Sequence, residues 1–190
     1  MSTSKSFVAV CVAMFAVSML SACGGGQDDA QGPGQVASAP AGNSGLIPTR
    51  AGFVEMDFAS VNAIKSFGLC VVDTINGRGR KAAARPIALT GADRIKVSGW
   101  AVTPDKRSPA SVAVVLRGGN KAYAVRADGR RERGDVARAV KSEAAGRAGF
   151  SVESELKGVA PGQYAVSVLQ DTGDTPTICA TRYKVVVTGE

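Results

Sequence analysis

The sequence predicts a mainly β domain, a sandwich or barrel of about seven strands with one short helix, carried behind an export signal and a tether. Three observations predict it. From about Phe53 onward, short apolar runs are separated by turn residues at the spacing of an all-β domain. Several runs alternate apolar and polar residues with the period of two that sets one face of a strand against a core. Gly118-Gly119-Asn120, between the runs Ser111–Arg117 and Ala122–Arg126, is a hairpin signal, because glycine and asparagine reach the positive φ of tight turns.

Gly68–Thr74 is the first run, ended by Asn76-Gly77. Arg94–Val102 alternates, with Ile95, Val97, Gly99 and Ala101 on one face. After the hairpin come Phe150–Leu156 and then Gln163–Gln170, which follows the turn Ala160-Pro161-Gly162. Thr177–Thr188 is the last and longest run. Its alternation puts Cys179, Tyr183, Val185 and Val187 on one face, with Cys179 pointing inward. Asp135–Lys141 breaks the β period: Val136 and Val140 are spaced i, i+4, Asp135 is a suitable N-cap, and Arg138 and Lys141 lie near the end that favours cations. A short helix is expected there, with Gly146 available to end the turn. Phe53–Phe67 reads as an edge strand or as a short helix, and both readings stay open.

The amino-terminal region is an address. Lys5 gives a short positive start, and the chain from Phe7 to Leu20 is apolar apart from Ser18. That length suits a signal-peptide core and is short of the roughly 20 residues a spanning helix needs. The run ends in Leu20-Ser21-Ala22-Cys23, which resembles the lipobox of bacterial lipoproteins. The resemblance implies a lipoprotein signal over residues 1–22, diacylglycerol on the Cys23 thiol and acylation of the new amino terminus. Several acyl chains would hold the protein durably on a membrane, at about 0.8 kcal/mol per buried CH₂. The competing readings are an ordinary signal cleaved near Ala22 and an uncleaved anchor. Gly24 follows the cysteine where an inner-membrane lipoprotein tends to carry Asp, so the resemblance implies the outer membrane, periplasmic face. The segment from Cys23 to residue 50, rich in Gly, Ala, Ser, Gln and Pro and without an aromatic side chain, reads as a flexible linker reaching roughly 25–30 Å. Residues 51–190 form the folded domain.

The chain has four cysteines and no histidine. Without histidine there is no Ser-His-Asp or Cys-His nucleophile and no imidazole metal ligand. Cys11 leaves with the signal and Cys23 takes lipid, so Cys70 and Cys179 remain as an even pair in an oxidising compartment. A disulfide between them is expected; two buried free thiols are the alternative. No metal or cofactor is expected.

Charge is the more informative signal. The formal net charge is +7, and +6 once Lys5 is lost. Arg78, Arg80, Lys81 and Arg85 form one basic loop. Arg126, Arg130, Arg131, Arg133, Arg138, Lys141 and Arg147 form a second cluster, diluted by acids. On one side of the domain, the two would attract anionic lipid headgroups, lipopolysaccharide phosphates or another acidic polymer. The plainer reading is solvated loops in a basic protein. Nucleic acid fits poorly with the compartment and the few aromatic residues.

Other signals are weaker. Arg133-Gly134-Asp135 matches an adhesive tripeptide, but Asp135 already has a place as a cap. Asp171-Thr172-Gly173 matches the aspartic-protease tripeptide, yet it lies between two strong strands, where a hairpin loop is simpler. Asp171 and Asp174 are too few for a calcium site. Trp100, the single tryptophan, is either packed or an exposed sugar platform, and packing is the expectation. Tyr123, Tyr164 and Tyr183 read as strand packing.

The order of Cys70-Val71-Val72-Asp73, Gly99-Trp100-Ala101, Arg133-x-Asp135-Val136, Gly149-Phe150 and Pro161-Gly162-x-Tyr164 resembles an immunoglobulin-like β-sandwich module of bacterial envelope proteins. The resemblance covers roughly residues 68–188. It implies a fold and no activity. The family's Asp after the Gly-Trp-Ala pattern is delayed here by Thr103-Pro104. The expected function is that of a lipid-anchored envelope protein, a non-enzymatic binding or structural module for a protein, glycan or anionic surface partner. The alternative is a carboxylate-based hydrolase of envelope polymers, for which Asp73, Asp93 and Asp105 are the candidates.

Overall fold

The computed structural model describes residues 46–173 and 175–189. The signal, Cys23 and most of the linker therefore lie outside the described residues. The strands are β1 (Val54–Met56), β2 (Cys70–Ile75), β3 (Arg78–Gly79), β4 (Ile87–Thr90), β5 (Arg94–Ala101), β6 (Ser111–Gly118), β7 (Lys121–Arg131), β8 (Gly149–Glu155), β9 (Gly162–Asp171) and β10 (Thr177–Thr188). The helices are α1 (Phe58–Ala63) and α2 (Gly134–Val140).

All seven runs read from the sequence are strands, but ten strands form, and they form one sheet rather than a sandwich of seven. Its order is β3-β2-β5-β8-β7-β6-β9-β10-β4, with β1 added on β7. Every pairing is antiparallel except β10 with β4. β7 is what makes the sheet continuous. One of its edges pairs with β6 from Lys121 to Ala127. The other pairs first with β1 and then, through Asp128 and Arg131, with β8. The register slips between those two residues, and Arg130 sits at φ 65°. Such a bulge bends a strand and increases its twist, so β7 leaves one half of the sheet and enters the other. The two strands that sequence reading missed, β3 and β4, have two and four residues, too short to show a period, while the three-residue β1 falls in the segment left open.

The sheet curls into a half-barrel around one core. Ile75, Ile95, Val97, Leu116, Phe150 and Val168 are among its buried members. Its two ends are held together across a seam. Cys70 on β2 and Cys179 on β10 form a disulfide, with Cα atoms 6.1 Å apart. The buried Tyr183 hydroxyl is shared between the carbonyls of Asp73 (3.2 Å) and Arg78 (3.3 Å). The Phe67 and Ile178 amides add backbone bonds to Ile178 and Lys65 carbonyls.

Two patches cover the outside of the curl. The leading segment and α1 place Ile47 and Val61 on Ala113, Val115, Ala124 and Leu169. This explains why Val112–Leu116 is buried without alternation: both faces of β6 are covered. The packing includes Ile47, ahead of the composition boundary at residue 51. Phe53–Phe67 contains both of the elements left open, β1 and then α1. Asp57 caps α1, its carboxylate accepting from the Ser60 amide at 2.8 Å. On the other side, α2 brings Val136 onto Val102, Ala145 and Ala148, and Trp100 packs half-buried against them. Trp100 thus serves packing.

The helix at 134–140 is present, but its ends differ from expectation. Arg133 occupies the N-cap position with no side-chain bond to the backbone, and Asp135 lies inside the first turn. The Asp135 carboxylate is instead engaged by Arg133, as described below. Lys141 in the left-handed region ends the helix, while Gly146 closes the separate turn Glu143–Ala145.

Tyr164, at the start of β9, donates its hydroxyl to the Ala160 carbonyl at 2.7 Å and meets Tyr123 edge-on with ring centroids 5.8 Å apart. This corner fixes the entry angle of β9. Tyr164→Phe removes one bond from a buried site, so a loss of about 1 kcal/mol is expected in urea unfolding, with an unchanged m-value.

Candidate functional site

The curl separates the two basic segments. Arg78 lies on β3, and Arg80 and Lys81 lie on the tight 3-10 turn that follows; Arg85 comes just after. All four are exposed, beside the seam. Arg80 shares a shallow cleft of about 160 Å³ with Arg182, Thr181 and Tyr183. Arg126, Arg130 and Arg131 lie on β7, in the middle of the strand path, with β5 and β8 between them and β2. The basic residues therefore make two surfaces.

The second surface contains a formed cleft. Where β7 bulges toward β8, it separates from the start of β6 and leaves a cleft of about 270 Å³. Arg126, Asp128, Gly129, Arg130 and Arg147 line it, over a floor that includes Val112, Ala127 and Ala148. The Arg147 side chain is oriented by a bond from Nε to the Arg130 carbonyl at 3.4 Å. Among the described residues, none of these three arginines is in an ion pair. Sequence reading grouped Arg126, Arg130 and Arg147 but did not separate them from their neighbours. The available signal was Gly129, a glycine that lies within β7 once the strand is seen to run on to Arg131, a position that marks a bulge.

Arg133 is a different case. Its side chain is only 22% exposed and is held by two carboxylates. Nη1 donates to Asp73 at 2.8 Å, while Nε and Nη2 donate to Asp135 at 2.9 and 2.8 Å. The guanidinium is thereby committed to the fold, tying the β7–β8 connection to β2. Gly149 leaves room for it: a Cβ there would lie 3.0 Å from Arg133 Cγ. The Arg133-Gly134-Asp135 tripeptide is closed on itself. The Arg133 hydrogen bonds hold the Asp135 carboxyl at about 2, below its ordinary 3.8. Because the folded value is the depressed one, the pair stabilises the fold above about pH 4 and loses its effect as pH falls toward 2. In Arg133→Gln, carboxyl NMR should find Asp135 titrating near about 4, the ordinary value.

The acidic candidates do not converge. Asp93 accepts from the Thr90 amide at 2.6 Å in the turn before β5. Asp105, beyond the other end of β5, accepts from the Thr103 hydroxyl and pairs with Arg107 at 2.7 Å. The Thr103 bond is the main cause of its lowered pKa. The eight-residue β5 separates the two by roughly 25 Å. Asp73 is bound to Arg133. Asp171-Thr172-Gly173 is a turn: Asp171 accepts from the Gly173 amide at 2.9 Å, and Thr172 donates to the Thr175 carbonyl at 2.6 Å. Asp174 lies outside the described residues. Among the described residues no three acidic or cysteine side chains gather as metal ligands, and no helix is long and apolar enough to cross a membrane.

Fold and site together define a disulfide-closed β domain with an arginine-lined cleft at the bulge of β7. Compared with known proteins, the chain matches no family model, no curated protein and no solved structure.

Proposed function

We propose that the chain is a lipid-anchored protein of the cell envelope, held through Cys23, whose immunoglobulin-like β domain serves as a non-enzymatic binding or structural module for an anionic surface partner. The observation that carries the partner class is the set of exposed arginines left without carboxylates: Arg126, Arg130 and Arg147 at the bulge, with Arg78 and Arg80 at the seam. Unpaired cations on a rigid surface attract anions over about one Debye length. The Tyr164 corner supports the immunoglobulin-like reading, since sandwiches of that kind use such a tyrosine at a strand start. The Leu20-Ser21-Ala22-Cys23 motif supports the anchor and an outer-membrane, periplasmic location.

Two measurements test this. Metabolic labelling with an alkyne fatty acid should mark the wild-type chain in the membrane fraction, and Cys23→Ala should be unlabelled and released. The released variant, used as bait in envelope extract, should capture acidic glycan or lipid. Loss of capture at high salt means that exposed charge does the binding. Capture of nothing acidic at either salt would falsify the partner class.

A further inference from the structure

The geometry points to the cleft at the β7 bulge as a binding site for a phosphate monoester, an assignment that rests on the anionic-partner reading above and makes it specific. The bulge is what builds the site. Arg126 precedes it on β7, Arg130 lies within it, and Arg147 reaches the same cleft from the segment before β8. No regular strand would gather these three, because residues 126 and 130 would otherwise stand four positions apart along a straight edge.

Charge and donor chemistry select the ligand. Three arginines and one aspartate, Asp128, are among the residues that line the cleft, so its lining sums to +2. A phosphate monoester carries about −1.5 to −2 at neutral pH and offers three strong acceptor oxygens. Guanidinium groups match those oxygens with paired N–H donors, which a single ammonium cannot do. Arg147 is already oriented by the Arg130 carbonyl, so less side-chain freedom is lost on binding. Asp128 weakens the pull on every anion alike, and the lining keeps a net +2; a dianionic monoester therefore gains about twice what a carboxylate or phosphodiester, with one charge, gains there. The volume of about 270 Å³ admits a phosphate and part of the group that bears it.

The test is a titration of the full chain in detergent with inorganic phosphate, glucose 1-phosphate, and phosphatidic acid or phosphatidylglycerol carried in mixed micelles of the same detergent. Backbone amide shifts at Gly129 and Ala148 report the cleft. A saturable shift is expected with the monoesters and weak or no shift with phosphatidylglycerol. Arg126→Gln with Arg147→Gln should weaken binding about tenfold or more. Asp128→Asn should tighten it, a gain that misfolding cannot produce. Saturation by inorganic phosphate alone assigns the site to free phosphate. Saturation only by glucose 1-phosphate or phosphatidic acid assigns it to a phosphorylated sugar or lipid. Equal binding of every anion, unmoved by the three substitutions, overturns the cleft while leaving a basic surface in place. Binding of none overturns both.

Discussion

Cys70→Ala with Cys179→Ala is expected to lower stability by about 4–5 kcal/mol. The cysteines are separated by 109 positions, and a bond across a loop of that length removes much of the freedom of the unfolded chain. It also joins β2 and β10, which stand near opposite ends of the strand path. Among the described residues, the hydrogen bonds left across the seam would be those of the Tyr183 hydroxyl and of the Phe67 and Ile178 amides, beside the packing of the core. Thermal unfolding should move down by roughly 10–20 °C. Amide exchange should rise first in β10 and in β4, which pairs with β10 alone. A loss below about 2 kcal/mol would mean that core packing closes the curl unaided.

Gly99→Ala should cost about 3 kcal/mol or more, through close approach and not through backbone freedom. Gly99 is not in the left-handed region, so alanine can adopt its conformation. The obstacle is β2. Its register slips between Val72 and Thr74, and this sets its backbone against Gly99. A Cβ at Gly99 would strike the Val71 carbonyl oxygen and lie 3.0 Å from both the Val72 Cα and the Phe150 ring. Neither backbone atom can rotate away, so β2 must shift relative to β5. The control is Gly79→Ala on β3, where a Cβ meets nothing within 4 Å and little change is expected. Urea unfolding of the two variants measures the difference. Equal stability would show that β2 slides without penalty.

The long strands were legible because their information is local. The alternation in Arg94–Ala101 matches the burial found there, residue by residue from Ile95 to Ala101. The Gly118–Asn120 hairpin joins β6 and β7 as read. The pairing of Cys70 with Cys179 was the expectation once Cys11 and Cys23 were assigned to the signal and its lipid, with two free thiols as the alternative, and the disulfide is formed. The resemblance suggested two sheets; β7, eleven residues long, joined them into one. The run read from the sequence stopped at Arg126, and β7 continues through Asp128-Gly129 to Arg131 because the bulge carries it onto β8.

The basic residues show the limit most clearly. Arg130 and Arg133 looked alike in the sequence. One lies open in a cleft, and the other is held by Asp73, sixty positions earlier. Asp135 had the residue type of a cap, and that arginine drew it into an ion pair instead. What the sequence determined by itself was therefore the strands with a full period and the helix, because backbone geometry repeats every two or 3.6 residues and writes that repeat into the chain. Only the tertiary structure decided the parallel pairing of β4, the cleft and the partner of each charge. Those depend on which distant segments the curl brings within hydrogen-bond reach, and no local period records that.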